Sequence, residues 1–268
     1  MTVDVLVGYS PGLVIQYGGL PSLQKRIQQL VALTNQAYSN SQVVHRIRLV
    51  GTLQLNYIDT NSNQSALEQM TGIRCAPDCV PTTVPIELVP LRNAREQLGA
   101  DLVVLLRPNR APQHETCGTG WLIGEGGNPI GSSDAPFGYS IASDGTDIDE
   151  SSGLLITCND YTVAQQLGRN MGQALNPEDA PRSGTHAYSY GYRQTQATGF
   201  HTIMALPLIG GSQFAIPHFS NPNVSFNGLT TGTVSQDNAR SLNLSMPLVA
   251  QFRAEVVSIN HIFSNGFE

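Results

Sequence analysis

The stretch YTVAQQLGRNMGQAL, residues 161–175, decides how this chain folds. Its apolar side chains recur every four residues, which is the spacing of one helix face; they are Val163, Leu167, Met171 and Leu175. Two glycines interrupt this helix, and each costs it about 1 kcal/mol relative to alanine. Gly168 and Gly172 therefore predict either that another segment packs very close to the helix or that the helix ends there.

Helix and strand patterns alternate along the first half of the chain. Strands are predicted at residues 3–8 and 43–57, and the continuous apolar run at 101–108 predicts a strand that is buried on both faces. An amphipathic helix at 20–41 and a second helix at 89–100 lie between them. Such alternation is typical of an α/β architecture.

The second half of the chain is more irregular. Short strands are predicted at GWLIG (120–124) and GYSIAS (138–143), and residues 176–233 carry little periodic pattern. A final helix is predicted at 234–256, with Pro247 expected to kink or divide it.

Composition excludes several partners. Charged residues make up 13% of the 268 residues and the net charge is −6, so there is no basic stripe to displace counterions from phosphates and no nucleic-acid partner is expected. No apolar run reaches the roughly 18 residues that a membrane span needs. The N-terminal VDVLVGY reads as a strand and not as a signal peptide. The protein is thus either cytosolic or begins after a removed leader.

The four cysteines favour an oxidising compartment. They are Cys75 and Cys79 in RCAPDCV, Cys117 in ETCGTGW and Cys158 in LITCNDY. An even count without a CxxC pair or neighbouring histidines favours two disulfides over a zinc ribbon. Cys75 and Cys79 would form a local bond, and a Cys117–Cys158 bond would tie the segment before the 161–175 helix to a distant loop. Four unrelated buried thiols are the alternative.

The 161–175 stretch also aligns with the zinc-peptidase motif HExxHxxGxxH, because LG-NMG fixes the register. In this register the motif's glycine is kept, whereas its three histidines and its glutamate are replaced by other residues. In motif order the five positions are Gln165, Gln166, Arg169, Gly172 and Leu175.

Further blocks agree with the same family in order and spacing, and with them the chain resembles the bacterial reprolysin-like metallopeptidases of the metzincin clan. The blocks are DVLVGYSP, LVALTNQAYSNSQV, RIRLVGTLQLNY, LGADLVVLL, ETCG, TCNDYTVAQQLGRNMG, AYSYGYR, FHTIMA, IPHFSNPNVSFNG and DNAR. The resemblance covers nearly all of residues 3–256, and FHTIMA makes Met204 the methionine of the family's Met-turn.

The resemblance implies a metzincin-like α/β (α+β) fold. We expect a mixed twisted sheet with long helices above, a loop-rich lower subdomain and a cleft between them. A (pseudo)catalytic domain is expected over residues 1–256 and a short C-terminal tail over 257–268. The strand GYSIAS is expected to be the sheet edge that pairs with an extended peptide or protein ligand.

In the family the three histidines bind zinc and the glutamate activates the bound water. Here Arg169 is a permanent cation, Leu175 has no donor atom, Gln165 is a weak neutral ligand and Gln166 cannot take a proton. The sequence therefore predicts a lost metal site, no cofactor and no enzymatic activity. The resulting expectation is a secreted or periplasmic bacterial pseudoprotease that binds a peptide or protein in its cleft. Arg169 is expected to pair with Glu178 or Asp179, to bind a carboxylate or carbonyl of a bound peptide, or to point into solvent.

Two other functions remain open at this point. One is a metalloendopeptidase with unconventional metal ligands, for which the candidates are His186, His201 and His218, or His114 with Glu115. The other is a structural or surface-interaction module whose cleft is filled by its own side chains.

Overall fold

The computed structural model describes residues 1–75 and 78–256, so the predicted tail at 257–268 lies outside the described residues. Its α-helices are Pro11–Gln16 (α1), Leu20–Asn40 (α2), Asn63–Thr71 (α3), Val89–Leu98 (α4), Thr162–Asn170 (α5) and Asn238–Val249 (α6). Its strands are Thr2–Tyr9 (β1), Arg46–Gln54 (β2), Ile73–Cys75 (β3), Cys79–Pro81 (β4), Leu102–Pro108 (β5), Gly118–Gly120 (β6), Tyr139–Asp149 (β7), Leu154–Cys158 (β8), Thr198–His201 (β9), Ser212–Ala215 (β10), Ser225–Phe226 (β11) and Leu229–Thr230 (β12).

The main sheet is mixed, and its strand order is β2-β1-β5-β7-β6. The first four strands are parallel, with Val5 of β1 opposite Leu102 of β5, whereas β6 runs antiparallel to β7. Parallel neighbours need long crossover connections. Helices α1 and α2 lie between β1 and β2, whereas β5 and β7 are joined by residues 109–138, which contain β6. The irregular segment 176–233 contributes short strand pairs, β9 with β10 and β11 with β12.

Two apolar layers cover the two faces of this sheet. In β1 the side chains of Val3, Val5 and Val7 face one layer and that of Leu6 faces the other, as the two-residue period of a strand requires. Helices α2, α5 and α6 pack in the first layer, and α3 and α4 pack in the second. The predicted mixed α/β fold class is confirmed.

Strand β7 extends beyond its pairing with β5 and also pairs with β6 and β8. Tyr139–Asp144 pairs with β5, and the following Gly145–Asp149 pairs with β8. Because residues 140–142 of β7 also pair with β6, the predicted edge strand GYSIAS is an interior strand. The edge is β6, so that assignment is wrong. GWLIG is likewise not a strand beyond Gly120, where β6 ends.

The helix ends also differ from the predictions in two places. The 161–175 helix ends at Asn170, five residues early, because the chain turns at Gly172. The final helix is limited to Asn238–Val249, and Pro247 sits in its last turn without dividing it.

Two disulfides are present, as the sequence predicts. Cys75 is bonded to Cys79 within the β3–β4 hairpin, and Cys117 is bonded to Cys158 across 41 residues. None of the helices within residues 1–75 and 78–256 combines the length and the apolarity that crossing a membrane requires.

Candidate functional site

The two glycines of the 161–175 stretch have different causes. A Cβ on Gly168 would lie 2.6 Å from Sδ of Met204, which is fully buried in the turn that follows β9. Gly172 has a φ of 81°, a left-handed conformation that favours glycine, and a Cβ there would lie 2.6 Å from Thr185 Cγ2. The first glycine therefore admits close packing and the second ends the helix. That Met204 is the Met-turn methionine of the family remains a prediction.

Helix α5 forms the floor of a cavity of about 450 Å³, which we call the cleft. Strand β6 and the residues just before it line one side, and an apolar segment within residues 203–207 lines the other. All four substituted motif positions line this one cleft; they are Gln165, Gln166, Arg169 and Leu175. The residues that the sequence alignment matched to the motif therefore line the same cavity in the structure.

The beginning of α5 is anchored to the same wall. The Cys117–Cys158 disulfide joins the residue before β6 to the last residue of β8, four residues before α5 begins. Asn159 then fixes the first turn, since its carbonyl accepts a hydrogen bond from Thr162 Oγ1 at 2.9 Å and its Oδ1 accepts one from Tyr161 N at 2.8 Å. These contacts hold the floor and the β6 wall in register.

The two glutamines form a directed hydrogen-bond chain. Gln165 Nε2 donates to the carbonyl of Ile203 at 3.0 Å, so Gln165 Oε1 is the acceptor for Gln166 Nε2 at 3.1 Å. This polarity leaves Gln166 Oε1 buried and without a partner among the described residues. An unused buried acceptor costs about 1–3 kcal/mol.

Arg169 lies deeper in the cleft, against β6. Its Nε donates to the carbonyl of Gly120 at 2.8 Å, and burial lowers the pKa of its guanidinium. Arginine stays protonated in proteins despite such a shift. The expected pairing with Glu178 or Asp179 is wrong, because both carboxylates instead lie beside Arg193, at 3.8 Å and 2.7 Å.

Zinc, which the family motif implies, does not fit these four positions. Both glutamine Nε2 atoms are committed as hydrogen-bond donors, and Gln165 Oε1 is already an acceptor. Arg169 brings a positive charge and no lone pair, and Leu175 brings only hydrocarbon. Zinc prefers imidazole, thiolate and carboxylate ligands, none of which stands here.

The three histidines considered as replacement ligands do not meet. His201 lines the cleft, where its Nδ1 is 3.1 Å from the carbonyl of Thr202 and burial lowers its pKa. His186 is hydrogen bonded through Nδ1 to Ser241 Oγ at 2.9 Å, and it does not line the cleft. His218 is buried away from the cleft as well.

His114 and Glu115 do not form a metal site either. The His114 ring is buried between Ser143 Oγ at 2.7 Å and the carbonyl of Asp59 at 2.8 Å, and burial lowers its pKa to about 4. Within residues 1–75 and 78–256, no group of three or more His, Cys, Asp or Glu side chains is placed to hold a metal ion.

Sequence reasoning missed the β6 wall and the position of His201. Three residues are too few for a strand period to be visible, so β6 carried no signal of its own. The only usable hint was the Cys117–Cys158 pair, which places Gly118 next to the start of α5. The sequence marked His201 as a candidate metal ligand; in the structure it lies beside the carbonyl of Thr202 and lines the cleft.

Comparison with known proteins identifies one family of metallopeptidases. A family model described as metallo-peptidase family M12B, reprolysin-like, matches residues 1–238. Curated relatives are named peptidyl-Asp metalloendopeptidase. The protein from Stenotrophomonas maltophilia (strain K279a) is 28% identical, over 94% of this chain and 53% of its own length. The protein from Pseudomonas aeruginosa is 29% identical, over 94% of this chain and 40% of its own length. The chain thus spans about half the length of the curated relatives it matches.

Among solved structures, one described as a chaperone-substrate complex is 18% identical and covers 94% of this chain and 35% of that chain, with a TM-score of 0.65. Metalloproteinase-II from Bacteroides fragilis is 15% identical over 91% of this chain and 52% of its own, with a TM-score of 0.44. At this identity the first likeness shows the fold alone.

These relatives contradict the prediction that the chain is not an enzyme, because they are named as metalloendopeptidases and the family is one of peptidases. The prediction was wrong because it used only the four motif positions. Their substitution removes the usual metal ligands, but the hydrolysis rate depends on every group that faces a bound peptide.

Proposed function

The chain belongs to the M12B reprolysin-like metallopeptidase family, and we propose that it binds an extended peptide in the cleft between β6 and α5. The observation that carries this proposal is the position of β6, a sheet edge that forms one wall of the cleft. A sheet edge presents backbone N–H and C=O groups to which a peptide can add as a further strand. The carbonyls of Gly118 and Gly120 already accept from Thr116 Oγ1 at 3.0 Å and Arg169 Nε at 2.8 Å, and each has a second lone pair for a peptide N–H.

The composition of the two walls supports an extended ligand. Gly118 and Gly120 let α5 pack closely against β6, because a Cβ at these positions would lie 2.9 Å and 3.1 Å from atoms of Gln166, and this packing holds the edge beside the cleft. The opposite wall is apolar and includes Ile203, Leu206 and Pro207, with Leu206 40% exposed. A strand pairing with β6 would turn alternate side chains toward these apolar groups. The volume of the cleft argues against the alternative of a structural module whose cleft is filled by its own side chains.

A second candidate function is peptide hydrolysis, which the names of the relatives favour. Since zinc does not fit the four motif positions, this candidate requires metal ligands or reacting groups elsewhere in the cleft.

We also propose that the protein works outside the cytosol, in the periplasm or as a secreted protein. Its two disulfides support this location, because disulfides persist in oxidising compartments.

The test of the proposed function uses peptide chemistry and a matched pair of variants. An eight-residue peptide selected from a displayed library is measured by calorimetry beside the same peptide with alternate backbone nitrogens methylated. We expect methylation to weaken binding at least about tenfold, since it removes the ladder hydrogen bonds and keeps the side chains. Leu206→Asp should weaken binding, whereas Ile209→Asp, at a residue 96% exposed and outside the cleft, should not.

Equal binding of the methylated and unmethylated peptides would overturn strand addition. Mass spectrometry of the same samples, with and without added zinc, measures hydrolysis directly. Intact peptide under every condition would reject the second candidate and leave the first unaffected.

A further inference from the structure

We propose that Arg169 is a carboxylate-binding site in the floor of the cleft, and that it takes a carboxylate of the bound peptide. This inference rests on the proposed function. It adds the chemical class of the group that the cleft recognises.

The guanidinium of Arg169 is held by one nitrogen and offers the other two. Nε is fixed on the carbonyl of Gly120 at 2.8 Å. Among the described residues, neither Nη1 nor Nη2 has a hydrogen-bond partner, and neither is sealed from solvent. Because Arg169 lines the cleft, two parallel N–H donors remain for a ligand that enters it.

Within residues 1–75 and 78–256, Arg169 has no ion pair, unlike Arg26 and Arg48; the buried Arg95 and Arg107 lack one too, but they do not line the cleft. Arg26 lies 2.8 Å from Asp144, and Arg48 lies 2.6 Å from Asp4. No carboxylate of the described residues lies within ion-pairing distance of Arg169. Glu125, which lies 3.7 Å from Arg182, attracts the guanidinium from farther away and only partly offsets the burial that lowers the pKa of Arg169. A desolvated and unpaired charge is costly, and a ligand that brings the opposite charge removes that cost.

The geometry selects a carboxylate. The planar fork of a guanidinium matches the two oxygens of a carboxylate, with paired charge-assisted hydrogen bonds. Arg169 donates to the carbonyl of Gly120, the last residue of β6, so a peptide strand paired with β6 would end beside the guanidinium. The carboxylate can be the C-terminus of that peptide or an acidic side chain within it.

The experiment uses two matched pairs of probes on the full chain. The first pair is acetyl-Gly-Thr-Val-Gly as the free acid and as the amide, which differ only in a terminal carboxylate. The second pair is acetyl-Gly-Thr-Asp-Val-Gly-amide and its Asn counterpart, which differ only in a side-chain carboxylate. Binding is followed by nuclear magnetic resonance titration of ¹⁵N-labelled protein, including the Nε–H resonance of Arg169.

We expect the carboxylate member of one pair, terminal or side-chain, to bind about 10- to 100-fold tighter than its neutral partner, the range for a charge-assisted hydrogen bond. Arg169→Gln should reduce that ratio to about one. Arg74→Gln is the matched control, because the Arg74 side chain is exposed and lies outside the cleft, and the ratio should remain unchanged.

Neutral and charged probes that bind wild-type protein alike would overturn the carboxylate site and leave the peptide site standing. Probes that all fail to bind, together with a failed library peptide, would overturn the proposed function itself. The comparison on wild-type protein remains decisive if Arg169→Gln does not fold.

Discussion

Removing the Cys117–Cys158 disulfide should cost far more stability than removing Cys75–Cys79. In the loop-entropy relation, a cross-link that closes 41 residues contributes about 4 kcal/mol at 25 °C, and one that closes four residues contributes about 2 kcal/mol. The double variants Cys117→Ala/Cys158→Ala and Cys75→Ala/Cys79→Ala make the same chemical change, so the difference of about 2 kcal/mol isolates loop length and position.

The assay is urea unfolding followed by circular dichroism, with the free energy of unfolding extrapolated to water for wild-type protein and both variants. The variant without Cys117–Cys158 should also bind the library peptide more weakly, because this bond joins the β6 wall to the start of α5. The variant without Cys75–Cys79 should bind normally. Equal losses of stability, or normal peptide binding by both variants, would refute this account of how the cleft is held together.

Two further predictions concern single residues. Gly168→Ala should destabilise the protein by about 1–2 kcal/mol, because overpacking against Met204 outweighs the gain of about 1 kcal/mol in helix propensity. In a Met204→Ala background the same change should be stabilising. Thermal unfolding of the wild type, the two single variants and the double variant tests both expectations. Burial raises the pKa of Asp101 to about 6, although its carboxylate accepts hydrogen bonds from the backbone N–H groups of Asp4 and Arg253. The folded state therefore binds the extra proton up to about pH 6, whereas the unfolded chain releases it near pH 4, so stability should fall as pH rises through this window. Asp101→Asn should abolish that part of the fall, and parallel pH profiles of the urea midpoint would contradict the assignment.

The sequence predicted the fold wherever a period extended over enough residues. The helix at Leu20–Asn40 and the buried strand at Leu102–Pro108 follow the expected bounds to within a residue. It failed where the deciding contact is distant along the chain. Whether residues 138–143 form an edge or an interior strand depends on β6, which is three residues long. Pro247 is tolerated because the carbonyl of Asn243, which it leaves without a helix partner, is hydrogen bonded to His45 Nε2 at 3.2 Å, a contact that is distant along the chain.

The candidate site divides in the same way. Alignment on the glycines placed Gln165, Gln166 and Arg169 correctly on one cleft, since Gly168 and Gly172 are fixed by steric contacts that no other residue type allows. What these side chains bond to was not predictable. The pairing of Glu178 and Asp179 with Arg193 depends on how an irregular segment folds back, and no local pattern encodes that path.

The cleft is braced by its own polar side chains. Helix α5 is bonded to one wall through Gln165 and Ile203, and to the other through Arg169 and Gly120. Each of these bonds joins a side chain of α5 to a backbone carbonyl, so the carbonyl is fixed in position while the rest of the side chain stays in the cleft. The hydrogen bond from Arg169 Nε to the carbonyl of Gly120 positions β6 and also orients the two remaining guanidinium nitrogens. One contact therefore places both the strand edge that would pair with a peptide backbone and the cation that would bind its carboxylate. A substitution at Arg169 should therefore change both the position of the β6 edge and the preference for charge, and the Lys variant separates the two because it keeps the charge without the fork.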